Sequence, residues 1–155
     1  MLRIGVLSDT HGLLRPEALA FLAGSDFIVH GGDIGNAAML AQLAAIAPLT
    51  VVRGNNDTGE WAASVPHSAT LAVGGVRLFA LHDIGQLDAA ALPDDVRVVV
   101  YGHSHRPLAE QRGPLLYLNP GSAGPRRFSL PVSAAELLVD GDRVRANIVE
   151  LISRP

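Results

Sequence analysis

Short apolar segments alternate with amphipathic segments over the first third of the chain, and this alternation restricts the fold more than any other feature. The apolar segments span residues 2–7, 26–30 and 49–53. Helices are predicted between them, because Pro16 and Glu17 suit a first helical turn, Asn36 suits a helix cap and Pro48 suits a helix end. The order strand, helix, strand, helix, strand predicts a right-handed parallel βαβαβ unit.

The rest of the chain is rich in predicted strands joined by turn residues. Strands are expected at 69–73, 76–81, 96–101, 108–111, 115–118, 132–139 and 143–151, and a short helix at 89–92. Gly74-Gly75, Arg112-Gly113-Pro114 and Asp140-Gly141-Asp142 separate pairs of these strands, as turns do in β-hairpins. We therefore expect a largely antiparallel second half, packed on the first half as a second sheet within one domain of residues 1–155.

The composition excludes several classes of protein. With 48% apolar residues the chain is too apolar to be disordered, and a net charge of −3 provides no broad basic surface for nucleic acid. The absence of cysteine excludes disulfides and thiolate metal sites, and all twelve basic residues are arginine, which excludes lysine chemistry. The apolar segments are too short for a membrane span or a secretory signal, so we expect a soluble, cytoplasmic protein that does not bind membranes.

Polar residues with metal-binding side chains follow the predicted strands at their carboxyl ends. They are Asp9 and His11, then Asp33, then Asn55 and Asp57, then His82, and finally His103 and His105. Open α/β sheets build their sites at such ends, and residues i and i+2 of an extended segment point to one side. Carboxylate, imidazole and amide groups suit first-row divalent ions, and this many donors suits two ions that share a carboxylate. Most of these motifs alone are more typical of a turn or a helix cap, and the one around His103 and His105 is a stronger signal, but it is the ordered set that favours a metal site.

The ordered set also resembles a known family. The motifs Asp9-Thr10-His11, Gly32-Asp33, Gly54-Asn55-Asn56-Asp57, His82 and Gly102-His103-Ser104-His105 are similar to those of the calcineurin-like metallophosphoesterase superfamily. The short chain and Asn119-Pro120-Gly121-Ser122, expected to form a turn that supports the site, resemble its small bacterial and archaeal branch, the YfcE-like phosphodiesterases. The resemblance extends from Ile4 to the last hairpin, and it implies an α/β fold, a four-layer α/β/β/α sandwich with two mixed sheets.

The resemblance further implies a site for two divalent metal ions. One ion would be held by Asp9, His11, Asp33 and His105, and the other by Asp33, Asn55, His82 and His103, with Asp33 as the bridge. A hydroxide bridging the two ions would attack phosphorus in line, and the expected catalytic residues are Asp33, Asn55, Asp57 and His103. Manganese is the expected metal, and iron, nickel and zinc are alternatives for these ligands.

Two positions depart from the family pattern. Many members have histidine directly after the ligand asparagine, whereas this chain has Asn56, which cannot donate a proton as a general acid. We therefore expect hydrolysis of small or activated phosphodiesters rather than broad monoesterase activity. Asp57 is expected to orient a ligand histidine or the hydroxide. Asp83 replaces the usual glycine after the ligand histidine, and we favour a solvent-facing carboxylate there over a partner of a ligand.

Several nearby polar residues have a structural interpretation beside a functional one. His30 is expected to pack at a strand end, and His67 to face solvent. Arg126 and Arg127 are candidates for binding a substrate phosphate, with a surface ion pair as an equal alternative. Trp61 either covers the mouth of the site or packs in the core.

Two other functions remain as alternatives to a phosphodiesterase acting on a small phosphate ester. The first is a non-catalytic scaffold similar to the retromer subunit Vps29, which uses this fold as an interaction platform. Asn56 favours that alternative, whereas the complete ligand set opposes it. The second is a nuclease of the same superfamily, which the acidic net charge makes less favourable. The resemblance also implies a homodimer or a homotetramer.

Overall fold

The computed structural model describes residues 1–153, so the last two residues of the expected domain, 154 and 155, lie outside the described part. Two mixed sheets of five strands each form the centre of the fold, with the orders β10-β9-β1-β2-β3 and β4-β5-β6-β8-β7. The strands are β1 (Leu2–Leu7), β2 (Phe27–His30), β3 (Leu49–Val51), β4 (Ser68–Val73), β5 (Val76–Leu81), β6 (Val96–Val100), β7 (Leu108–Arg112), β8 (Leu115–Asn119), β9 (Val132–Asp140) and β10 (Arg143–Ile152). The expected α/β sandwich of two mixed sheets is confirmed.

Strand β1 shows why the sequences of the central strands are apolar at consecutive positions. Ile4 and Val6 point into the core between the two sheets, while Leu7 points to the opposite face, where the helices pack. All three side chains are fully buried. A strand covered on both faces needs apolar residues at every position rather than at alternate positions.

Two α-helices cover the outer face of the first sheet. They are α1 (Pro16–Leu22) and α2 (Ala37–Ala44). As predicted, Asn36 caps α2, because its side-chain oxygen accepts a hydrogen bond from the Met39 N–H at 3.0 Å. Leu22 of α1 and Leu43 of α2 are buried against the sheet, so the predicted apolar faces hold the helices in place.

The prediction that the second half is largely antiparallel and forms a sheet of its own is wrong in two respects. Strands β5, β6 and β8 are parallel, and the last hairpin, β9–β10, belongs to the first sheet, where β9 pairs antiparallel with β1. The three hairpins themselves are confirmed, since turn residues specify them locally. The crossover over residues 82–95 carries no such local signal, and a connection of that length permits a parallel neighbour.

The outer layer on the second sheet is thinner than a helical layer. The helix expected at 89–92 is a single 3₁₀ turn, Ala89–Ala91, which follows a second 3₁₀ turn at Ile84–Gln86. Leu87 and Leu92 beside these turns pack against the apolar cluster that includes Tyr117 of β8, and they close part of the outer face. Among the described residues no helix is long and apolar enough to span a bilayer.

Parallel pairing brings several strand ends to one edge of the sandwich. β1, β2 and β3 are parallel in the first sheet, as are β5, β6 and β8 in the second. The loops after β1 and β2 stay in register, because Asp9 N–H donates to the Gly32 carbonyl and His11 N–H to the Asp33 carbonyl, both at 2.9 Å. The predicted metal ligands therefore start from backbone that is fixed by the sheet.

Candidate metal centre

Imidazoles and carboxylates from four loops converge at this edge in two groups that share Asp9. Ligand atoms of Asp9, His11 and His105 all lie within 4.8 Å of one another, and so do those of Asp9, Asp33 and His82. The structure thus brings together residues that are up to 96 positions apart in the chain, at the spacing of groups that bind one ion.

The two carboxylates occupy the middle of the cluster. Asp33 Oδ2 lies 3.3 Å from His82 Nε2 and 3.7 Å from His11 Nε2, so it faces one histidine from each group. Asp9 Oδ1 lies 3.3 Å from His105 Nε2 and 3.9 Å from both other imidazoles. Asp9 is therefore as central as Asp33, which the resemblance had not implied.

Asn55 and His103, the remaining predicted ligands, lie at the exposed rim of the cluster. Their side chains contact each other, with 3.1 Å between Asn55 Oδ1 and His103 Nδ1. The His103 ring meets the His82 ring edge-on, with 5.1 Å between the ring centres. A cavity of about 230 Å³ opens here, and its walls include Asn55, His82 and His103.

Five of the predicted ligands have left-handed backbone, which non-glycine residues seldom adopt. They are Asp9, His11, Asp33, His103 and His105, with φ between 47° and 72°. Each such residue stores about 1–3 kcal/mol of strain, which persists only where the surrounding structure fixes it. Among the described residues one other non-glycine position, Phe128, shares this conformation. Backbone strain is thus concentrated at the candidate site.

Glycines let the backbone approach the two carboxylates closely. A Cβ on Gly102 would lie 2.5 Å from Asp9 Oδ2, and a Cβ on Gly54 would overlap Asp33 Oδ1. Ser8 also holds Asp9, since its hydroxyl donates to Asp9 Oδ2 at 2.8 Å. The sequence did not reveal the roles of Ser8 and of the two glycines, although Ser8 precedes the Asp9-Thr10-His11 motif and each glycine is the first residue of a motif.

Hydrogen bonds around the cluster leave its central atoms free to bind a cation. His82 Nδ1–H donates to the Gly31 carbonyl at 2.7 Å, so a neutral His82 presents the lone pair of Nε2 to the carboxylates. Within residues 1–153, three buried side-chain atoms have no hydrogen-bond partner: Asp9 Oδ1, His82 Nε2 and His105 Nδ1. A bound cation would satisfy both Asp9 Oδ1 and His82 Nε2. The residues present therefore fit a metal site.

The local environment also sets the charge of Asp33. Burial alone would raise the pKa of this carboxyl, but a protonated His82 ring and the N–H groups of Asn56 outweigh burial and hold the pKa well below its usual range. Asn56 donates through its backbone N–H to Asp33 Oδ1 at 2.9 Å and through its side-chain amide to Oδ2 at 3.0 Å. Asp33 is thus ionised at neutral pH, as a metal ligand must be.

Comparison with known proteins agrees with this geometry. A family model described as the calcineurin-like phosphoesterase superfamily domain matches residues 2–142. This chain belongs to that superfamily. The resemblance inferred from the sequence motifs is therefore confirmed.

Relatives of this chain match it over most of its length. A probable metallophosphoesterase of Methanothermobacter thermautotrophicus is 33% identical over 94% of this chain and 91% of its own. The phosphodiesterase YfcE of Escherichia coli is 30% identical over 86% of this chain and 85% of its own, and a solved YfcE structure matches with a TM-score of 0.71. Vps29 of Chaetomium thermophilum, 21% identical over 96% of this chain and 97% of its own, matches with a TM-score of 0.76 and shares the fold.

Asp57 connects the loops beneath the candidate centre. Its Oδ1 accepts hydrogen bonds from Ile34 N–H at 2.8 Å and Gly35 N–H at 3.1 Å, and its Oδ2 accepts one from Gly54 N–H at 2.9 Å. The carboxylate is 4% exposed, so these bonds lie in a dry environment. The contacts are all with backbone and join the loop after β2 to the loop after β3.

His30 serves the fold, as the sequence predicted. Its Nδ1 accepts from Gly32 N–H at 3.0 Å, so Nε2 carries the proton and donates to Thr10 Oγ1 at 2.9 Å. Complete burial lowers the pKa of His30 to about 4, which keeps the ring neutral. Asn119 has a similar supporting role, because its amide donates to the Gly102 carbonyl at 3.1 Å and its oxygen accepts from Gly121 N–H.

The other residues weighed in the sequence lie around the site. His67 is exposed but lines the 230 Å³ cavity, and the half-exposed Asp83 accepts a hydrogen bond from Gly85 N–H at 2.9 Å. Arg126 donates to the Ser153 carbonyl at 3.2 Å, and Arg127 is exposed. Trp61 packs against the apolar cluster under α2, so it belongs to the core rather than to the mouth of the site.

Proposed function

We propose that this chain is a metal-dependent phosphodiesterase that holds two divalent ions and hydrolyses a small or activated phosphate ester. The observation that carries the proposal is the convergence of two carboxylates and three imidazoles around Asp9 Oδ1 and His82 Nε2, buried atoms without a hydrogen-bond partner in the described part of the chain. Evolved cores rarely retain such atoms unless a ligand satisfies them.

The ligand sets are those that the family resemblance implies, in which Asp33 is the bridge, whereas the two groups in the structure share Asp9. One ion would be held by Asp9, His11, Asp33 and His105, and the other by Asp33, Asn55, His82 and His103. Bound ions would polarise the phosphoryl group and lower the pKa of water. Manganese is the metal we propose, because oxygen and nitrogen donors without sulfur suit it, and iron, nickel and zinc remain alternatives.

The surrounding residues orient the ligands rather than take part in the reaction. Asn56 fixes both oxygens of Asp33, and the Gly31 carbonyl fixes the ring orientation and the tautomer of His82. Asp57 holds the loops that carry Asp33 and Asn55, so we propose it as a positioning residue that acts through these loops, rather than on a ligand histidine or the hydroxide as expected from the sequence.

The geometry of Asn56 favours diesters with good leaving groups. Its amide is engaged by Asp33 and cannot act as a general acid, so the leaving group must depart without a proton from this position. Aryl diesters meet this requirement, since a phenolate is a stable leaving group. A rapid, broad monoesterase would need a proton donor that Asn56 does not provide.

A non-catalytic scaffold is the second candidate function. Asn56 favours it, because the position at which many relatives have histidine is used here to hold a carboxylate. The likeness to Vps29 concerns the fold, and a scaffold has no need for unpartnered buried ligand atoms. The phosphodiesterase therefore accounts for more of the observations.

Hydrolysis of bis(4-nitrophenyl) phosphate beside 4-nitrophenyl phosphate tests the proposal. The protein is stripped with a chelator, and manganese is titrated back. We expect metal-dependent release from the diester and loss of that activity in Asp33→Asn, and the monoester, which has the same leaving group, measures any monoesterase activity beside it. The matched control is Asp142→Asn in the exposed β9–β10 turn, which should retain wild-type activity. A folded protein that binds two ions and hydrolyses neither ester with any first-row metal would favour the scaffold.

A further inference from the structure

A second cavity adjoins the candidate metal centre on the outer face of the second sheet. Its volume is about 520 Å³, which is within the range of small-molecule sites. Apolar side chains form much of its wall, among them Phe79 and Leu81 of β5 and Leu87 and Leu92 beside the 3₁₀ turns. The 3₁₀ turns therefore cover the sheet and also form part of the wall of this cavity.

The two cavities share part of their walls. His67 and Gln86 line both the 230 Å³ cavity at the metal centre and the larger apolar cavity. Asn55 and His103 lie on the other walls of the smaller cavity. A molecule with its phosphoryl group at the predicted ligands can therefore extend past His67 and Gln86 into the apolar cavity.

The lining also indicates the charge of what can enter. Among the described residues that form the wall of the larger cavity there is a carboxylate, Asp88, and no arginine. A phosphate or carboxylate on the entering group would meet Asp88 without a cationic partner, whereas an uncharged ring would bury apolar surface against Phe79 and the leucines. The charge and the apolar wall both favour an uncharged group.

We infer that the apolar cavity binds one arm of the ester, and that the substrate is a phosphodiester with an uncharged apolar arm such as an aryl group. The phosphoryl group lies at the metal centre, and the arm passes between His67 and Gln86. This inference rests on the proposed function, because it assigns the substrate class of the same site.

Binding of inert phosphinates tests the inference without turnover. Methylphenylphosphinate and dimethylphosphinate differ in one arm and have no ester bond to cleave. Isothermal titration calorimetry on the metal-loaded protein should show about tenfold tighter binding of the phenyl compound, from the apolar surface that the ring buries. Equal affinities in the wild-type protein would overturn the inference.

Two variants on one strand locate the effect. Thr70 lies on β4 in the wall of the apolar cavity, and Ala72 is exposed on the same face of β4 but is not part of that wall. Thr70→Trp fills the cavity and should bring the ratio of the two affinities close to one, whereas Ala72→Trp should preserve the wild-type ratio. Ala91→Trp fills the cavity from the opposite wall and replaces Thr70→Trp if that variant does not fold. Identical ratios in filling and control variants would overturn the inference.

Turnover of bis(4-nitrophenyl) phosphate by the same wild-type preparation separates the two proposals. Turnover together with selective phenyl binding supports both. Turnover with equal phosphinate affinities overturns the apolar subsite and leaves the phosphodiesterase standing. A folded, metal-loaded protein without turnover overturns the phosphodiesterase, and the assignment of the cavity to a substrate arm is overturned with it.

Discussion

Replacement of Asp57 by asparagine should loosen the candidate metal centre without removing a metal ligand. The carboxylate accepts three backbone hydrogen bonds, from Ile34, Gly35 and Gly54. An asparagine can keep its oxygen toward the first two, but its NH₂ group then faces the Gly54 N–H, donor against donor. The loss of one charge-assisted hydrogen bond and the burial of an unpaired N–H together correspond to about 3 kcal/mol.

Urea unfolding of the metal-free protein measures this loss, and calorimetric titration with manganese measures its consequence. We expect Asp57→Asn to lower the free energy of unfolding by about 3 kcal/mol and the metal affinity by about 10–100-fold, because the loop bearing Asn55 loses its anchor. Asp88→Asn is the matched control, since Asp88 accepts one exposed backbone hydrogen bond, from Ala90, and should change stability by less than about 0.5 kcal/mol. Wild-type stability with lost activity in Asp57→Asn would refute the positioning role and indicate direct action in the reaction.

Three further predictions concern packing and protonation. In Gly102→Ala the new Cβ would lie 2.5 Å from Asp9 Oδ2, so the metal affinity measured by calorimetry should fall at least about tenfold. Gly85→Ala is the matched control, since the nearest atom to its new Cβ is 3.2 Å away, and this variant should bind the metal as the wild type does. The hydrogen bond from Arg3 lowers the pKa of Glu136. At pH values above the ordinary carboxyl pKa, this ion pair should therefore stabilise the fold by about 1 kcal/mol, and the contribution should be lost as the pH falls through the lowered pKa. Urea unfolding of Glu136→Gln should therefore differ from wild type at pH 7 and converge with it in acid, and a constant difference would contradict the assignment. Metal occupancy measured by elemental analysis should fall between pH 7 and pH 4, because imidazole ligands must be neutral, and full occupancy at pH 4 would exclude histidine ligation.

The first half of the fold could be predicted because its signals are local. A buried strand, a capped helix and a second strand each have a pattern of their own, and Asn36 caps α2 where the sequence placed it. The parallel pairing of β5 with β6 has no equivalent signal, since the intervening crossover is irregular and apart from two 3₁₀ turns has no regular structure. The return of β9 to β1 depends on burial of the whole first sheet, which no local pattern specifies.

The candidate site likewise contains some features that have a signal in the sequence and others that have none. Asp9, His11 and Asp33 could be placed together from the sequence because the parallel strands of the first half end at one edge, whereas His82 and His105 were assigned to the same site by the ordered set of motifs. Contacts that depend on loop geometry could not be anticipated, and these include the two hydrogen bonds by which Asn56 holds Asp33. The left-handed backbone at the ligands was equally hidden, since aspartate and histidine do not signal it as glycine does.

Anomalous diffraction from a crystal of the manganese-loaded protein tests for a dinuclear centre. We expect two peaks in each chain, about 3.5–4 Å apart. One peak should contact Asp9, His11 and His105, the other Asn55, His82 and His103, and both should contact Asp33. A single peak, or two peaks that do not share Asp33, would contradict the dinuclear centre proposed for this chain.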